Sequence, residues 1–245
     1  IEIGLVGPKG WIQWDGLWEG ACMARDLINK EGYFKNWPGP RGILGPDGYY
    51  KVTLVDIDEH AVPIPDPPSA IAELITKLDT HPKMYHLLGG FLSSIVMPME
   101  EALLDYAAVH KRPIWIVAGA SPDELIEPVK EDYARYKYMF RVTPMNSTTL
   151  GLQFAALIRE VIMPKMAALY NVPKVKFFVI AANVVGFDVM VEYLTDPDIY
   201  PYVLGPIAEC VGYRRPSPIA TDFSTDFDAA EEAGAKICLL YTSPS

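Results

Sequence analysis

Short apolar runs alternate with amphipathic stretches along the whole chain. Four apolar runs stand in the first half, at residues 1–6, 51–57, 85–90 and 113–118. Each has the length and aliphatic character of a strand in a parallel sheet that helices cover on both faces. The segments between them repeat apolar residues at helical spacing, for example at Leu17, Ala21, Ala24 and Ile28. Four strand–helix steps of this kind predict a doubly wound α/β lobe.

A second series begins after a polar break at residues 120–124. Strand-like runs alternate there with helical stripes, the strongest of which covers residues 150–161 and meets a break or kink at Pro164. The strand-like runs are residues 138–142, 174–182, 202–213 and 236–241. We therefore predict two consecutive Rossmann-like lobes, residues 1–120 and 121–245. Two insertions rich in Gly or Pro, residues 33–50 and 61–68, are predicted to be surface loops with little regular structure.

Two loops in the first half are the best candidates for a binding site. Residues 7–16 follow the first strand, and residues 89–94, Gly-Gly-Phe-Leu-Ser-Ser, follow the third. Loops at the carboxyl ends of parallel strands are where ligands bind in such sheets. Both lead into helices, whose first N–H groups suit a carboxylate or another polar headgroup, and Pro98 is expected in the first turn of the second helix. Because no nucleophile–base pair accompanies these loops, the pattern favours binding over turnover.

Charge and composition narrow the range of partners. The 245 residues carry a formal net charge of -10 without a stripe rich in Lys or Arg, which argues against a nucleic-acid partner. The pair Arg214 and Arg215 is interpreted as solvated loop residues. No apolar run reaches about 18 residues, so the sequence predicts no membrane span. Cys22, Cys210 and Cys238 form no zinc pattern and are interpreted as buried thiols.

Two further patterns can be interpreted as structural or as functional. Asp56, Asp58, Glu59 and His60 are of metal-ligating types, so a metal site is conceivable. Neighbouring residues of an extended segment point to opposite sides, however, and we interpret the cluster as solvated or helix-capping. The glycines after the first strand follow G-x-x-G-x-x-G rather than the dinucleotide fingerprint. We expect neither a metal ion nor a nucleotide cofactor.

Six short motifs carry a family resemblance. They are Gly-Pro with Gln-Trp at residues 7–14, the helix pattern of residues 19–29, Gly-Phe-Leu-Ser-Ser at 90–94, the turn at 118–125, Phe-Arg-Val-Thr-Pro at 140–144 and Thr-Asp-Phe-Ser at 221–224. Each motif is weak alone, but their common order resembles that of type I periplasmic binding proteins. The branch they resemble is the branched-chain amino-acid (leucine/isoleucine/valine) receptors of ABC importers. The resemblance covers essentially all 245 residues.

That resemblance implies a set of ligand-binding residues: Ser93, Ser94, Ala120 and Ser121 around the ligand headgroup, Trp14 at the mouth of the cleft, and Val185 in the second lobe. The family usually offers a Tyr at the position of Val185. This departure removes a hydroxyl and favours a different or more apolar ligand. For Ser93 and Ser94 the alternative role is helix N-capping, which is compatible with ligand binding.

The function implied is that of a non-enzymatic, periplasmic or cell-surface receptor. It would capture a small polar or amino-acid-like ligand between two lobes and deliver it to an ABC permease. The same fold can serve as the sensing domain of a regulator or receptor, and an α/β enzyme is a third hypothesis, although we find no base or metal site for it. We expect that the chain is a C-terminally truncated form, with both lobes incomplete. We also expect that residues 238–245 are a non-native tail.

Overall fold

A computed structural model describes residues 1–31, 41–62, 64–142, 146–217 and 220–241. Two compact units are formed, Ile1–Ala120 with Glu124–Thr143 and Ser121–Asp123 with Pro144–Ser245. The end of the Phe-Arg-Val-Thr-Pro motif, part of the insertion at 33–50 and residues 242–245 of the expected tail lie outside the described residues.

The first unit is built on a five-stranded parallel sheet, as predicted for a doubly wound lobe. The strand order is β4-β1-β5-β6-β7. Its strands are β1 (Glu2–Gly7), β4 (Thr53–Asp58), β5 (Met84–Gly89), β6 (Ile114–Val117) and β7 (Met139–Arg141). Its helices are α1 (Ile12–Asp26), α2 (Pro67–Thr80), α3 (Ser93–His110), α4 (Glu127–Glu131) and α5 (Tyr133–Tyr136).

The core of this unit lies on the face covered by α2 and α3. Alternate strand residues such as Leu87 and Trp115 point to this face and are fully buried against Leu74 and Leu103 of the two helices. On the opposite face α1 packs against β1 and β4. There the side chain of Phe140, on β7, remains 48% exposed. β1 is an interior strand of the sheet, and its last four residues are buried, as expected for a strand with helices on both faces.

The segment 124–143 corrects the predicted domain boundary. The sequence pattern assigned it to the second lobe, with residues 138–142 as the entry strand. In the structure β7 pairs in parallel with β6, opposite residues including Ile116 and Phe140, and buries Met139 in the first core. A strand pattern shows that a strand exists but not which sheet edge it joins, because pairing is a long-range interaction.

Three local predictions need correction. Residues 43–50 form a β-hairpin, β2 (Ile43–Gly45) and β3 (Gly48–Tyr50), instead of an irregular loop. Pro67 and Pro68 open helix α2, since proline fits the first helical turn and Asp66 caps it. Pro98 lies in the interior of α3, because that helix begins five residues earlier, at Ser93.

The second unit has a three-stranded parallel sheet in the order β10-β8-β9. Its strands are β8 (Val175–Ala181), β9 (Ala208–Arg214) and β10 (Ile237–Tyr241). Its helices are α6 (Ser147–Leu157), α7 (Met163–Tyr170), α8 (Asp188–Thr195), α9 (Tyr200–Leu204) and α10 (Ser224–Glu232). A π-helical turn, Ile158–Ile162, joins α6 to α7, and Pro164 lies in the first turn of α7.

Candidate functional site

The topology of the first unit has a switch point between β1 and β5. From β1 the chain moves outward to β4 on one side, and then returns to β5 on the other side. The loops that follow β1 and β5 therefore diverge at the same edge of the sheet, where open α/β sheets bind ligands. The amide of Gly90 donates to the Val6 carbonyl at 2.9 Å and holds the second loop against the end of β1.

Backbone hydrogen bonds join the loops after β5 and β6. The amides of Gly119 and Ala120 both donate to the Gly90 carbonyl, at 2.9 and 3.0 Å. Ala120 therefore lies beside the loop that leads to Ser93, as the site prediction requires. Its side chain is only 1% exposed, so it can serve a ligand through backbone groups and local shape rather than through side-chain contact.

Ser93 and Ser94 are the first two residues of α3. Ser93 is 8% exposed, Ser94 is half-buried, and within the described ranges neither hydroxyl has a hydrogen-bond partner. Since Pro98 has no N–H, it also removes the helical hydrogen bond that the Ser94 carbonyl would accept. Within the described residues, two hydroxyls thus lie without partners at a positive helix end, an arrangement suited to a polar or anionic headgroup.

Glu59, which follows β4, is the residue that sequence reasoning placed wrongly. Its side chain is completely buried and accepts hydrogen bonds from the amides of Phe91 at 2.6 Å and Leu92 at 3.0 Å. Its own amide donates to the Gly7 carbonyl at 3.0 Å. Burial raises the pKa of Glu59 to about 7, against the opposing effect of the two amides, and Asp58 raises it further.

The four residues of the cluster at the end of β4, Asp56, Asp58, Glu59 and His60, thus have different roles. Solvation is the wrong interpretation for Glu59, whose carboxylate binds the two amides that precede α3, those of Phe91 and Leu92. The signal available was position, because the residue directly follows an apolar strand, and the next apolar strand along the chain leads into Gly-Gly. Asp56 pairs with the ammonium of Lys9, which is the main reason why its pKa lies below the ordinary value. Within the described part of the chain, no three potential ligands are arranged to hold a metal ion.

His60 and Asp58 are also engaged within the first unit. His60 Nε2 lies 2.8 Å from a carboxylate oxygen of Glu73 on α2. Asp58 accepts hydrogen bonds from the amides of Lys9 at 3.2 Å and His60 at 2.9 Å. These contacts tie the loop after β4 to the loop after β1 and to α2, and they support the local shape of the edge.

Trp14 lies under the loop after β1. The side chain is 9% exposed and stacks on Trp18, with ring centroids 5.4 Å apart. Its ring also covers Gly7, where an added Cβ would stand 2.7 Å from the indole. Trp14 therefore shapes the floor of this loop, and contact between its ring and a ligand stays a prediction.

Ser121 belongs to the second unit. Its carbonyl accepts the amide of Ser147 at 2.9 Å, at the first residue of α6. Asp123 binds the same helix end, through the Thr148 hydroxyl at 2.7 Å and the Thr148 amide at 3.1 Å. Burial alone would raise the pKa of Asp123, but hydrogen bonds from Thr148, Ser147 and Asn146 lower it below the ordinary value. The predicted Ser–Pro–Asp turn is therefore part of the cap of α6.

Val185 starts a short 3-10 turn directly after β8. Arg215 directly follows β9 and holds this loop through its Nη2 atom. This atom donates to the carbonyls of Ala182 at 3.3 Å and Val184 at 3.2 Å, and to the carboxylate of Asp188 at 2.7 Å. The prediction that Arg215 is solvated is wrong, whereas its neighbour Arg214 is exposed. Sequence offers no means to separate the two, because the difference depends on which strand ends beside the loop.

The fold defines the class of protein to which this chain is similar. Solved structures of ABC transporter solute-binding proteins match it over its whole length, so the chain has the fold of these proteins, as the motifs predicted. None of its helices in the described ranges combines the length and apolar character needed to cross a bilayer. No family model and no curated protein sequence matches the chain.

Three solved structures illustrate the match. The substrate-binding protein of an ABC transporter from Sphaerobacter thermophilus is 18% identical, with a TM-score of 0.62 over 100% of this chain and 56% of that protein. A solute-binding protein from Rhodopseudomonas palustris HaA2, in complex with p-hydroxybenzoic acid, is 16% identical, with a TM-score of 0.60 over 98% and 54%. A leucine-, isoleucine-, valine-, threonine- and alanine-binding protein from Brucella ovis is 18% identical, with a TM-score of 0.56 over 100% and 54%. The chain thus spans just over half the length of the structures it matches.

Proposed function

We propose that this chain is the ligand-capturing part of an extracytoplasmic solute-binding protein. It binds a small solute with a carboxylate or amide headgroup and passes it to the permease of an ABC importer, without chemical turnover. The observation that carries this proposal is the start of α3. There Ser93 and Ser94 present hydroxyls that have no partner in the described part of the chain, at the switch point of a parallel sheet and beside the Gly90 loop.

The named ligands of similar structures define the panel for a binding test. One similar protein is in complex with p-hydroxybenzoic acid and another is a binding protein for leucine and other amino acids. We therefore propose 4-hydroxybenzoate, benzamide, L-leucine and L-threonine as probes, measured by thermal shift and isothermal titration calorimetry. A ligand at about 100 times its Kd adds roughly 2.7 kcal/mol to the free energy of unfolding, which a thermal melt resolves.

The double variant Ser93→Ala/Ser94→Ala tests the site itself. Removing two hydroxyls that bind an ionised headgroup is expected to weaken binding at least about tenfold, because each such hydrogen bond contributes roughly 1.5–3 kcal/mol. Thr80→Ala is the matched control, since its exposed hydroxyl lies at the opposite end of α2. Equal affinity in the double variant and the control would contradict the proposed site. Absence of binding across the panel and a wider set of carboxylates would contradict the function.

Delivery to an importer is tested with the membrane partner. We expect the liganded protein to stimulate ATP hydrolysis by the permease–ATPase complex encoded beside its gene, reconstituted in vesicles. The ligand alone is the control. Stimulation that requires both protein and ligand supports transport, whereas specific binding without stimulation favours a sensing role.

A further inference from the structure

The buried carboxylate of Glu59 has an unusual position for an acidic residue in a predicted anion site. It occupies the two amides that precede α3, those of Phe91 and Leu92, and its own amide is bound to the Gly7 carbonyl. One residue thus connects the loops that follow β1, β4 and β5. These loops bound the site that the proposed function places at the switch point.

Among the residues that the structure describes, the contacts around Glu59 include no counter-ion. Lys9, from the loop after β1, directs its ammonium to Asp56. Glu73, from α2, faces His60. The segments 89–96 and 113–120, which follow or form the neighbouring strands, contain no ionisable side chain. Asp58, which precedes Glu59 in the chain, places a second negative charge near the Glu59 carboxylate. The two backbone amides are therefore the groups that stabilise its ionised form.

We propose that Glu59 is the positioning residue of the ligand loop, and that an acidic solute bound at Ser93 and Ser94 is taken up together with a proton on Glu59. The uptake of a proton with the ligand rests on the proposed function, whereas the positioning role of Glu59 in the loop does not. The ionised carboxylate accepts both amides and fixes the path of residues 90–92 into α3. It also puts a negative charge on the loop that leads to the headgroup of an anionic solute, and like charges repel each other.

Binding of an anionic solute changes the protonation of Glu59. In the free protein near pH 7, Glu59 titrates between a carboxylate and a neutral acid, since burial raises its pKa to about 7. An anion arriving at α3 favours the neutral acid, so a proton moves from solvent onto a carboxylate oxygen of Glu59. No bond to the solute forms or breaks. The affinity for an anion should therefore fall as pH rises from 6 to 8, whereas the affinity for a neutral amide should not.

The first test needs no ligand. Hydrogen exchange of the Phe91 and Leu92 amides is measured by NMR in the wild-type chain, in Glu59→Gln and in Glu59→Ala. We expect protection to fall at least about tenfold in Glu59→Ala, and less in Glu59→Gln, whose amide oxygen can still accept one N–H. Glu100→Gln is the matched control, because Glu100 is another buried carboxyl of the same unit and lies on α3. Unchanged protection in both Glu59 variants would overturn the positioning role.

The second test measures the proton. Titrations of 4-hydroxybenzoate at pH 7.5, in two buffers of different ionisation enthalpy, should show uptake of roughly half a proton or more in the wild type. Uptake should vanish in Glu59→Gln and persist in Glu100→Gln, while benzamide should show none in any variant. Equal uptake in wild type and Glu59→Gln would overturn the proton coupling. If no acidic probe binds but loop protection depends on Glu59, the proposed function fails and the positioning role stands.

Discussion

At the residue scale, single glycines set the approach of the ligand loop to the sheet. Gly89 has φ +102°, and a Cβ added there would stand 2.1 Å from the Val6 carbonyl oxygen. Any larger residue must push the loop away from β1, because the obstacle is backbone and cannot rotate aside. The Gly-Gly pair of the sequence is therefore a geometric requirement of the switch point.

Gly89→Ala and Gly16→Ala should have opposite effects on stability. We expect Gly89→Ala to lower the free energy of unfolding by at least about 2 kcal/mol, through steric overlap and positive φ. Gly16 lies inside α1 with no atom within 4 Å of an added Cβ, so Gly16→Ala should raise it by about 0.5–1 kcal/mol. Urea denaturation of both variants measures the difference. A loss at Gly16 equal to that at Gly89 would contradict this account.

At the element scale, two loops depend on side chains from the ends of other strands in the same sheet. Glu59 holds the loop after β5, and Arg215 holds the loop after β8. Arg215 follows β9, which pairs with β8, whereas Glu59 follows β4, which β1 separates from β5. A parallel sheet makes this possible because the carboxyl ends of neighbouring strands meet at one edge.

Arg215→Lys should loosen the loop that contains Val185. The lysine side chain is one bond shorter, so its ammonium cannot reach the position from which Arg215 Nη2 contacts two carbonyls and Asp188. Hydrogen exchange of residues 182–188 should become faster, by at least about threefold. Arg214→Lys, at the exposed neighbouring position, should leave it unchanged. The account is wrong if the two variants exchange alike.

At the scale of the whole molecule, two buried carboxyls are partly protonated near neutral pH and so make the net charge less negative. Glu100 is 4% exposed, one of its oxygens has no partner among the described residues, and burial raises its pKa to about 8. The pKa of Glu59 is raised to about 7. A raised carboxyl pKa contributes stability that is fully present below the unfolded value and is lost as pH rises through the folded value.

The free energy of unfolding should therefore fall between pH 5 and pH 9. Glu100→Gln removes the buried charge, and we expect it to gain at least about 2 kcal/mol relative to wild type at pH 9 and little at pH 5, since each pKa unit corresponds to about 1.4 kcal/mol. Glu19→Gln, on the exposed side of α1, is the control. Chemical denaturation at several pH values tests this. A wild-type stability that rises steadily from pH 5 to pH 9 would refute it.

Much of the fold could be predicted because its signals are local. The strands of both parallel sheets follow apolar runs, and the helix of residues 224–232 begins at the Thr-Asp-Phe-Ser motif, where Asp222 accepts the Ser224 amide at 2.9 Å. The start of α3 at Ser93 was also visible as Gly-Gly followed by small hydroxyls. The membership of β7 was not predictable, since Met139 and Phe140 suit an edge strand of either sheet.

The sequence by itself determined the α/β class, the alternation of elements and the loop that carries Ser93 and Ser94, because periodicity and turn residues act over a few neighbours. Tertiary structure alone decided which charges are buried. Asp58 and Glu59 are adjacent acids, yet Glu59 is completely buried and Asp58 is not. Arg214 and Arg215 are adjacent bases, yet Arg215 holds a neighbouring loop and Arg214 is exposed. Burial of a side chain depends on residues that are distant in the chain, and a local sequence pattern does not show which of them will pack against it.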